Sequence, residues 1–205
     1  MEFKFNIPFT LIWSLLWLLF LWLAAPKQPS RSSALLAVAH RWLARYNVEI
    51  VHFSLQDFVA EDLLFANFNS PQILALNYAL SRADGLLVAT PVYKAAYSGA
   101  LKSILDLLPE RALEHKVVLP LATAGSSNHF LALDYALKPV LSALKAQEVL
   151  HGVFATDIQI DYASREATLD AGLAERLEES LTTFYAAIQR RGLSLTAKEH
   201  VTSHE

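Results

Sequence analysis

Three short segments, rich in hydroxyl, aromatic and small residues, carry most of the candidate chemistry in this chain. The first is PKQPSRSS, residues Pro26–Ser33, which places cations and serines directly before an apolar helical pattern. Hydroxyl donors, a cation and the N–H groups at a helix start form an anion site, because the positive end of the helix dipole adds to their charge. Serines at this position also serve as plain helix N-caps. The segment therefore predicts an anion site or an ordinary capped helix.

The other two segments favour contact with a flat ligand. In ATPVYKAAYSGALKS, the loop Pro91–Ser98 contains two tyrosines that can lie along a planar ring, although it also fits an ordinary loop with surface aromatics. In LATAGSSNHF, the loop Thr123–His129 contains small residues that let the backbone approach a ligand closely. His129 in this loop is better explained as a residue at the start of a helix than as a proton donor.

Other classes of chemistry find no support in the sequence. The chain has no cysteine, and its seven histidines are scattered without metal-ligand spacing, so no metal site is expected. Seventeen basic against twenty acidic residues give a net charge of −3, with no basic run that would indicate nucleic acid. The three loops offer neither a nucleophile with its base nor paired carboxylates. This pattern suits hydride transfer between two cofactors, where the protein supplies position and the cofactors supply the redox chemistry.

Strand and helix patterns alternate along the chain from residue 30 onward. The periodicity predicts helices and strands in the following order: helix Ser30–Arg45, strand Val48–Phe53, helix Pro71–Arg82, strand Gly85–Thr90, helix Gly99–Leu108, strand Lys116–Ala122, helix Phe130–Lys145 interrupted by Pro139, strand Val149–Ala155 and helix Leu169–Gln189. Such alternation is typical of a mostly parallel sheet with helices on both faces. Ligands bind at the carboxyl ends of these strands, so we expect the three loops to meet there.

Long stretches of the sequence resemble a known enzyme family. The stretches are PSRSSALL, ADGLLVATPVYKAAYSGALKSILDLLPERAL and KVVLPLATAGSSNHFLALDYALKPVLSALKAQEVLHGVFATD. They resemble the NADPH-dependent FMN reductases of alkanesulfonate assimilation (the SsuE type), over nearly all of Pro26–Asp161. The resemblance implies a flavodoxin-like α/β fold, with a parallel five-stranded sheet and helices on both faces. It implies FMN and NADPH as cofactors, and delivery of reduced FMN to an FMN-dependent alkanesulfonate monooxygenase.

The resemblance also implies roles for particular residues. The FMN phosphate would be held by Lys27, Ser30 and Ser32, and the isoalloxazine would be lined by Pro91, Val92, Tyr93 and Lys94, with Thr123, Ala124 and Gly125 along its other edge. No catalytic side chain is expected. Tyr135 matches a tyrosine inserted at the family's oligomer interface, where an extra residue produces a π-bulge. A homo-oligomer, dimer or tetramer, is therefore expected, and the alternative role for Tyr135 is plain packing at the interface.

The match fails at the first turn. The family has a Gly-Ser-Pro-Arg type of turn, whereas this chain reads LFLWLAAPK over Leu19–Lys27 and has Ala24 and Ala25 at the glycine and serine positions. The loss of a hydroxyl predicts FMN affinity weakened by about 1–3 kcal/mol. Lys27 keeps the charge of the arginine but not its planar fork.

The segment before this turn has several interpretations. Residues Ile7–Ala25 carry no charge and approach the ~20 apolar residues of a membrane helix. Secretion is disfavoured because Leu23 stands where a cleavage site needs a small residue. A second hypothesis is that the residues ahead of Pro26 are translated out of frame, because their codons, read in a shifted frame, can encode Leu-Ala-Gly-Ser-Pro. Whatever its origin, Leu18–Leu23 is apolar enough to serve as a substitute strand.

These considerations predict three parts of the chain: an apolar segment 1–25, a reductase domain 26–190 and a loose polar tail 191–205. A cytoplasmic enzyme is expected, or a membrane-anchored one if residues 7–25 are a genuine span. The alternatives to the reductase are a flavodoxin-like electron carrier that holds FMN permanently and an inactive membrane-anchored domain.

Overall fold

The computed structural model describes residues 17–23, 25, 29–161 and 167–202, with the backbone alone for 17–23 and 192–202. Its strands are β1 Trp17–Leu23, β2 Val48–Ser54, β3 Gly85–Tyr93, β4 Ala96–Tyr97, β5 Val117–Ala124, β6 Glu148–Val149, β7 Val153–Thr156, β8 Ile160–Asp161 and β9 Thr168–Leu169. Its α-helices are α1 Arg31–Leu43, α2 Ala60–Leu64, α3 Pro71–Arg82, α4 Gly99–Leu105, α5 Lys138–Ala143 and α6 Ala171–Thr202. A π-helix spans Leu133–Leu137, and short 3₁₀ turns span Leu55–Asp57, Ser127–His129 and Asp157–Gln159.

The main sheet has five positions, in the order β2, β1, β3, β5 and then β6 with β7. All of these neighbours pair in parallel, which confirms the predicted parallel sheet. β4 adds an antiparallel hairpin to the end of β3, and β8 and β9 form a separate two-stranded ribbon. The order of the strands reverses between β1 and β3, and in this kind of sheet that point is where ligands bind.

Helices cover both faces of the sheet. One core cluster packs α1 and α6 against Leu87, Leu119 and neighbouring side chains, and the other packs α3, α4 and α5 against the opposite face. Consecutive residues of β5, such as Val118 and Leu119, belong to different clusters because side chains alternate across a strand. A strand buried on both faces reads as a continuous apolar run, which is the pattern that identified β3 and β5 in the sequence.

The predicted last strand is divided in two. β6 and β7 both pair with β5, but Leu150–Gly152 separates them. Gly152 has φ +84°, and a Cβ added there would lie 2.5 Å from the carbonyl oxygen of Pro120. The break therefore depends on a glycine, both for its conformation and for its close approach to β5.

The first predicted helix differs from α1 by one residue at its start and two at its end, and three others differ more in extent. The predicted Phe130–Lys145 helix is instead the π-helix Leu133–Leu137 followed by α5, which has Pro139 in its first turn, where a missing N–H costs little. α4 ends at Leu105 rather than Leu108, because the N–H groups of Leu107 and Leu108 donate to the carbonyl oxygens three residues earlier and tighten the last turn. α6 continues through Thr202 rather than ending at Gln189, so a helix replaces the start of the predicted loose tail.

The first segment contributes β1 to the centre of the sheet. β1 pairs with β2 from Trp17 opposite Val48, and with β3 from Leu19 opposite Gly85. Among the described residues, no helix combines the length and apolarity needed to cross a membrane. The division of the chain at residues 25 and 190 stays a prediction, and residues 1–16 lie outside the described part.

Candidate functional site

The three loops that the sequence singled out meet at one cavity of about 240 Å³. The cavity lies at the carboxyl ends of β1, β3, β5 and β7, at the point where strand order reverses. Its lining consists of Ala25, Pro29, Ser30, Arg31, Ser32, Pro91, Val92, Tyr93, Thr123, Ala124, Gly125 and Asp157. The expectation that the loops converge is thus met by the geometry of the sheet.

The start of α1 forms one wall of the cavity. Ser30 is the N-cap: its Oγ accepts a hydrogen bond from the backbone N–H of Ser33 at 3.1 Å, and its own N–H donates to Ser33 Oγ at 2.8 Å. This reciprocal capping box fixes where the helix begins. The capping role considered from the sequence is therefore observed, and it directs the positive end of a thirteen-residue helix toward the cavity.

A buried hydrogen bond ties this helix to the sheet. Ser32 Oγ lies 2.6 Å from Thr123 Oγ1, and the two residues are only 1% and 4% exposed. Ser32 belongs to the first turn of α1 and Thr123 to the carboxyl end of β5, so the bond holds two walls of the cavity at a fixed separation. Two of the predicted site residues thus contact each other directly.

An ion pair closes the same end of the cavity. Arg31 Nη1 lies 3.3 Å from Asp157 Oδ2, and Arg31 Nε donates to the backbone oxygen of Asp157 at 3.3 Å. Both side chains are about one third exposed, at 34% and 36%. Neither residue was predicted from the sequence, although Arg31 stands between two predicted serines and Asp157 directly follows β7.

The hairpin of β3 and β4 forms the opposite wall. Its turn residues Lys94 and Ala95 have φ of +52° and +66°, a left-handed conformation that is uncommon for residues other than glycine and costs about 1 kcal/mol or more each. Below the turn, the backbone N–H of Ser98 donates to the buried Thr90 Oγ1 at 3.1 Å. Burial raises the pKa of the nearby Tyr97 phenol above its ordinary value.

The structure brings eight of the ten predicted binding residues together around the cavity. Among the described residues the exception is Lys94, which lies exposed at the hairpin turn and does not line the cavity. Lys27 falls outside the described residues. Ala25, which occupies the family's serine position, is 1% exposed and lines the cavity.

Tyr135 lies away from the cavity, on the π-helix Leu133–Leu137, and is 79% exposed. The π-helical geometry that the resemblance implied for this tyrosine is therefore present. His129 is the last residue of the 3₁₀ turn Ser127–His129 and does not line the cavity, so it does not begin the following helix as predicted.

Two other cavities are larger but suit this chemistry less well. A groove of about 410 Å³ between α2 and α4 is lined mostly by apolar side chains, and another of about 310 Å³ lies beside Lys116 at the opposite edge of the sheet. Neither of them lies at the strand reversal. Within the part of the chain that the structure describes, no group of three or more metal-ligating side chains occurs.

The cavity has the parts that a flavin nucleotide needs. The capped N-terminus of α1 with Arg31 suits a phosphate, since helix N–H groups and a guanidinium bind anions. Ala124 and Gly125 have small or no side chains, so their backbone is accessible from the cavity. A Cβ added at Gly125 would meet only Asp157 Oδ2, at 3.9 Å, and a flat ring can therefore approach this end of β5. A doubly wound fold with such a site at its strand reversal defines a nucleotide-binding α/β protein of the flavodoxin-like class.

Comparison with known proteins identifies the family. The sequence model of the NADPH-dependent FMN reductases matches residues 18–161. The chain belongs to this family, which confirms the flavodoxin-like fold, the oxidoreductase class and FMN and NADPH as the cofactor pair.

Individual relatives of known name support this family assignment. The FMN reductase (NADPH) of Escherichia coli K12 is 59% identical over 172 residues, covering 83% of this chain and 90% of the relative. The FMN reductase (NADPH) of Pseudomonas putida KT2440 is 57% identical over 169 residues, covering 82% and 86%. Among solved structures, the apo form of the NADH:FMN oxidoreductase EMOB superposes with a TM-score of 0.76 at 33% identity, covering 83% of this chain and 89% of that one.

Proposed function

We propose that this chain reduces FMN with NADPH at the cavity below the β3–β4 hairpin and supplies the reduced FMN, in the cytoplasm, to an FMN-dependent alkanesulfonate monooxygenase. The observation that carries the site assignment is the convergence of the three loops at the strand reversal. The sulfonate context rests on the resemblance of the sequence, since the site itself contains nothing specific to a sulfonate.

In this proposal each wall of the cavity has its own role. The capped start of α1, with Ser30, Ser32 and the preceding Lys27, holds the phosphate of FMN. Pro91, Val92 and Tyr93 lie along one side of the ring system, with Lys94 at the adjoining turn. Thr123, Ala124 and Gly125 border its other edge. At about 240 Å³ the cavity is smaller than the usual range of about 300–1,000 Å³ for ligand pockets, so we expect part of the ring to lie outside it.

Hydride transfer from NADPH to FMN depends more on the relative position of the two molecules than on an acidic or basic side chain. FMN and NADPH would supply the chemistry of hydride transfer, and the protein would hold the two molecules in contact. The charged side chains in the described lining are Arg31 and Asp157, which are engaged with each other. The described lining therefore serves binding and orientation and offers no free acid or base for the reaction.

The test is NADPH oxidation, followed by absorbance, with and without added FMN. Two versions of the chain are compared: the sequence as it stands, and one in which Met1–Ala25 is replaced by a family-like strand that ends in Gly-Ser. Activity in both versions supports the proposal with β1 as a working strand. Activity only in the replaced version supports the assignment of the domain and makes the native first turn defective. Inactivity of both versions refutes the proposal.

A permanent FMN electron carrier is the rival function. An enzyme that treats FMN as a substrate oxidises many equivalents of NADPH when free FMN is in excess, whereas a carrier stops after one equivalent per chain. The monooxygenase partnership is tested separately: the reductase, NADPH and FMN are added to an alkanesulfonate monooxygenase, and sulfite release is measured. Sulfite release no greater than with the monooxygenase alone would refute the partnership without affecting the reductase assignment.

We also propose a homo-oligomer, a dimer or tetramer, with Tyr135 at its interface. Phe130 and Leu131 are 55% and 45% exposed and precede the π-helix, so this surface combines three large side chains that water solvates poorly. Light scattering of the wild type and of Tyr135→Ala tests the proposal. A mass that equals one chain in the wild type would refute it, and an unchanged assembly in the variant would exclude Tyr135 from the interface.

A further inference from the structure

The described lining of the cavity contains one cation and one anion, and they neutralise each other. Arg31 contributes the positive charge and Asp157 the negative charge. Their contact is double, since Nη1 faces the carboxylate and Nε faces the backbone oxygen of the same residue, each at 3.3 Å. These two side chains together therefore offer an incoming phosphate no net charge, which leaves the positive end of the α1 dipole as the attraction of this wall.

This arrangement opposes the binding of a phosphate monoester. Such a group carries nearly two negative charges at neutral pH. A guanidinium binds it best with two parallel N–H donors, but two of the donors of Arg31 are directed at Asp157. An incoming phosphate must therefore displace the carboxylate or lie beside it, and both cost free energy.

Asp157 also faces the part of the cavity that is assigned to the ring. Its Oδ2 lies within 3.9 Å of the position that a Cβ on Gly125 would occupy. The carboxylate thus stands between the start of α1 and the carboxyl end of β5. A ligand that spans these two walls passes close to it.

We infer that Asp157 is a residue that weakens FMN binding: it competes with the phosphate for Arg31, and so keeps FMN an exchangeable substrate with a smaller preference over flavins that lack a phosphate. This inference rests on the proposed reductase function. Free exchange is what an enzyme needs if reduced FMN is to leave for another protein, because a tightly held flavin makes release slow.

The experiment compares Asp157→Asn with the wild type in the binding of FMN and of riboflavin, which lacks the phosphate. Asparagine keeps the size of the side chain and leaves the backbone acceptor for Arg31 Nε in place, so the change removes mainly the charge. Asp106→Asn is the matched control, because Asp106 is an exposed carboxylate paired with Lys102 outside the cavity lining. Dissociation constants are measured by quenching of flavin fluorescence at low salt.

The expected result is a dissociation constant for FMN about three- to tenfold lower in Asp157→Asn. An effect of this size is expected when one partly solvated charge is removed from beside an anion site. Riboflavin binding stays unchanged in this variant, and Asp106→Asn changes neither ligand. Arg31→Gln has the opposite effect, a higher dissociation constant for FMN alone. Riboflavin binding also serves as the control for folding in both variants.

Weaker or unchanged FMN binding in Asp157→Asn would overturn the inference, because Asp157 would then orient Arg31 or play no part. An equal gain for FMN and riboflavin would also overturn it, since the effect would not involve the phosphate. A wild-type chain that binds riboflavin or NADPH but not FMN would instead refute the proposed function, and this inference with it.

Discussion

The hydrogen bond between Ser32 and Thr123 provides the sharpest test of how the site is held together. Thr123→Val keeps the shape and the strand preference of the side chain, but it removes the partner of Ser32 Oγ. Ser32 is 1% exposed, so its hydroxyl would be left buried without this bond at a cost of about 1–3 kcal/mol in the free energy of unfolding. For a domain of this size, each 1 kcal/mol lowers Tm by about 2–4 °C.

The assay is urea unfolding of Thr123→Val, Ser32→Ala and the double variant, with FMN titration of each. The double variant removes both hydroxyls, so its loss should be smaller than the sum of the single losses by about 1 kcal/mol. FMN binding should weaken in both single variants, since α1 is then less firmly fixed to β5. Thr168→Val is the matched control: Thr168 is exposed on β9, and its substitution should stay within about 0.5 kcal/mol.

Additive losses in the double variant would refute the reasoning, because two hydroxyls that bond to each other cannot contribute independently. A destabilised variant that binds FMN with unchanged affinity would separate the two claims. The bond would then stabilise the fold but would not position the site.

Three further predictions concern the backbone and pH. Ala95→Gly should raise the free energy of unfolding by up to about 1 kcal/mol in urea unfolding, because glycine adopts φ +66° without strain. Gly152→Ala should lower it by more than about 1 kcal/mol, since the added Cβ would meet the Pro120 carbonyl oxygen at 2.5 Å. Burial, and then the charge of His40, lower the pKa of His52 below its ordinary 6.5. The unfolded chain therefore binds more protons, so stability should fall as pH drops from 6.5 to the lowered pKa, and His52→Gln should flatten this slope in unfolding curves.

Each of these predictions has a contrary outcome. A loss of stability in Ala95→Gly would mean that the turn is not strained. Gly99→Ala is the control for Gly152→Ala, because a Cβ at Gly99 meets nothing within 4 Å, and equal losses in both would remove the steric argument. A pH slope that His52→Gln leaves unchanged would assign the slope to other groups.

Most of the architecture follows from local signals in the sequence. The α3 helix has the predicted bounds Pro71–Arg82, since a proline fits its first turn and an extended residue follows its last. The apolar runs that became β3 and β5 are buried on both faces, which is the condition that produces such runs. The positions of the site loops then follow from the rule that ligands bind at the carboxyl ends of parallel strands.

The parts that the sequence could not predict depend on contacts between distant residues. Arg31 and Asp157 are 126 positions apart, and no local pattern relates them. The turn at Lys94 and Ala95 contains no glycine or asparagine, the usual signals for positive φ, so the hairpin had no signature in the sequence. Tertiary structure imposes that conformation, through the pairing of Val92 with Tyr97 and the bond from Ser98 to Thr90.

The first segment shows why a membrane anchor and a working reductase are incompatible uses of the same residues. In the described part of the chain, β2 joins the sheet through β1 alone, with pairs from Trp17 opposite Val48 to Leu23 opposite Ser54. Withdrawing β1 into a lipid bilayer would leave β2 without a partner, and it would remove the strand reversal that creates the cavity. A buried central strand requires only apolar side chains, so a segment of either origin, in frame or out of frame, can fill this position. What the origin of the segment changes is therefore the turn at Ala25 beside the cavity, where we expect a missing hydroxyl to weaken FMN binding while the sheet stays intact.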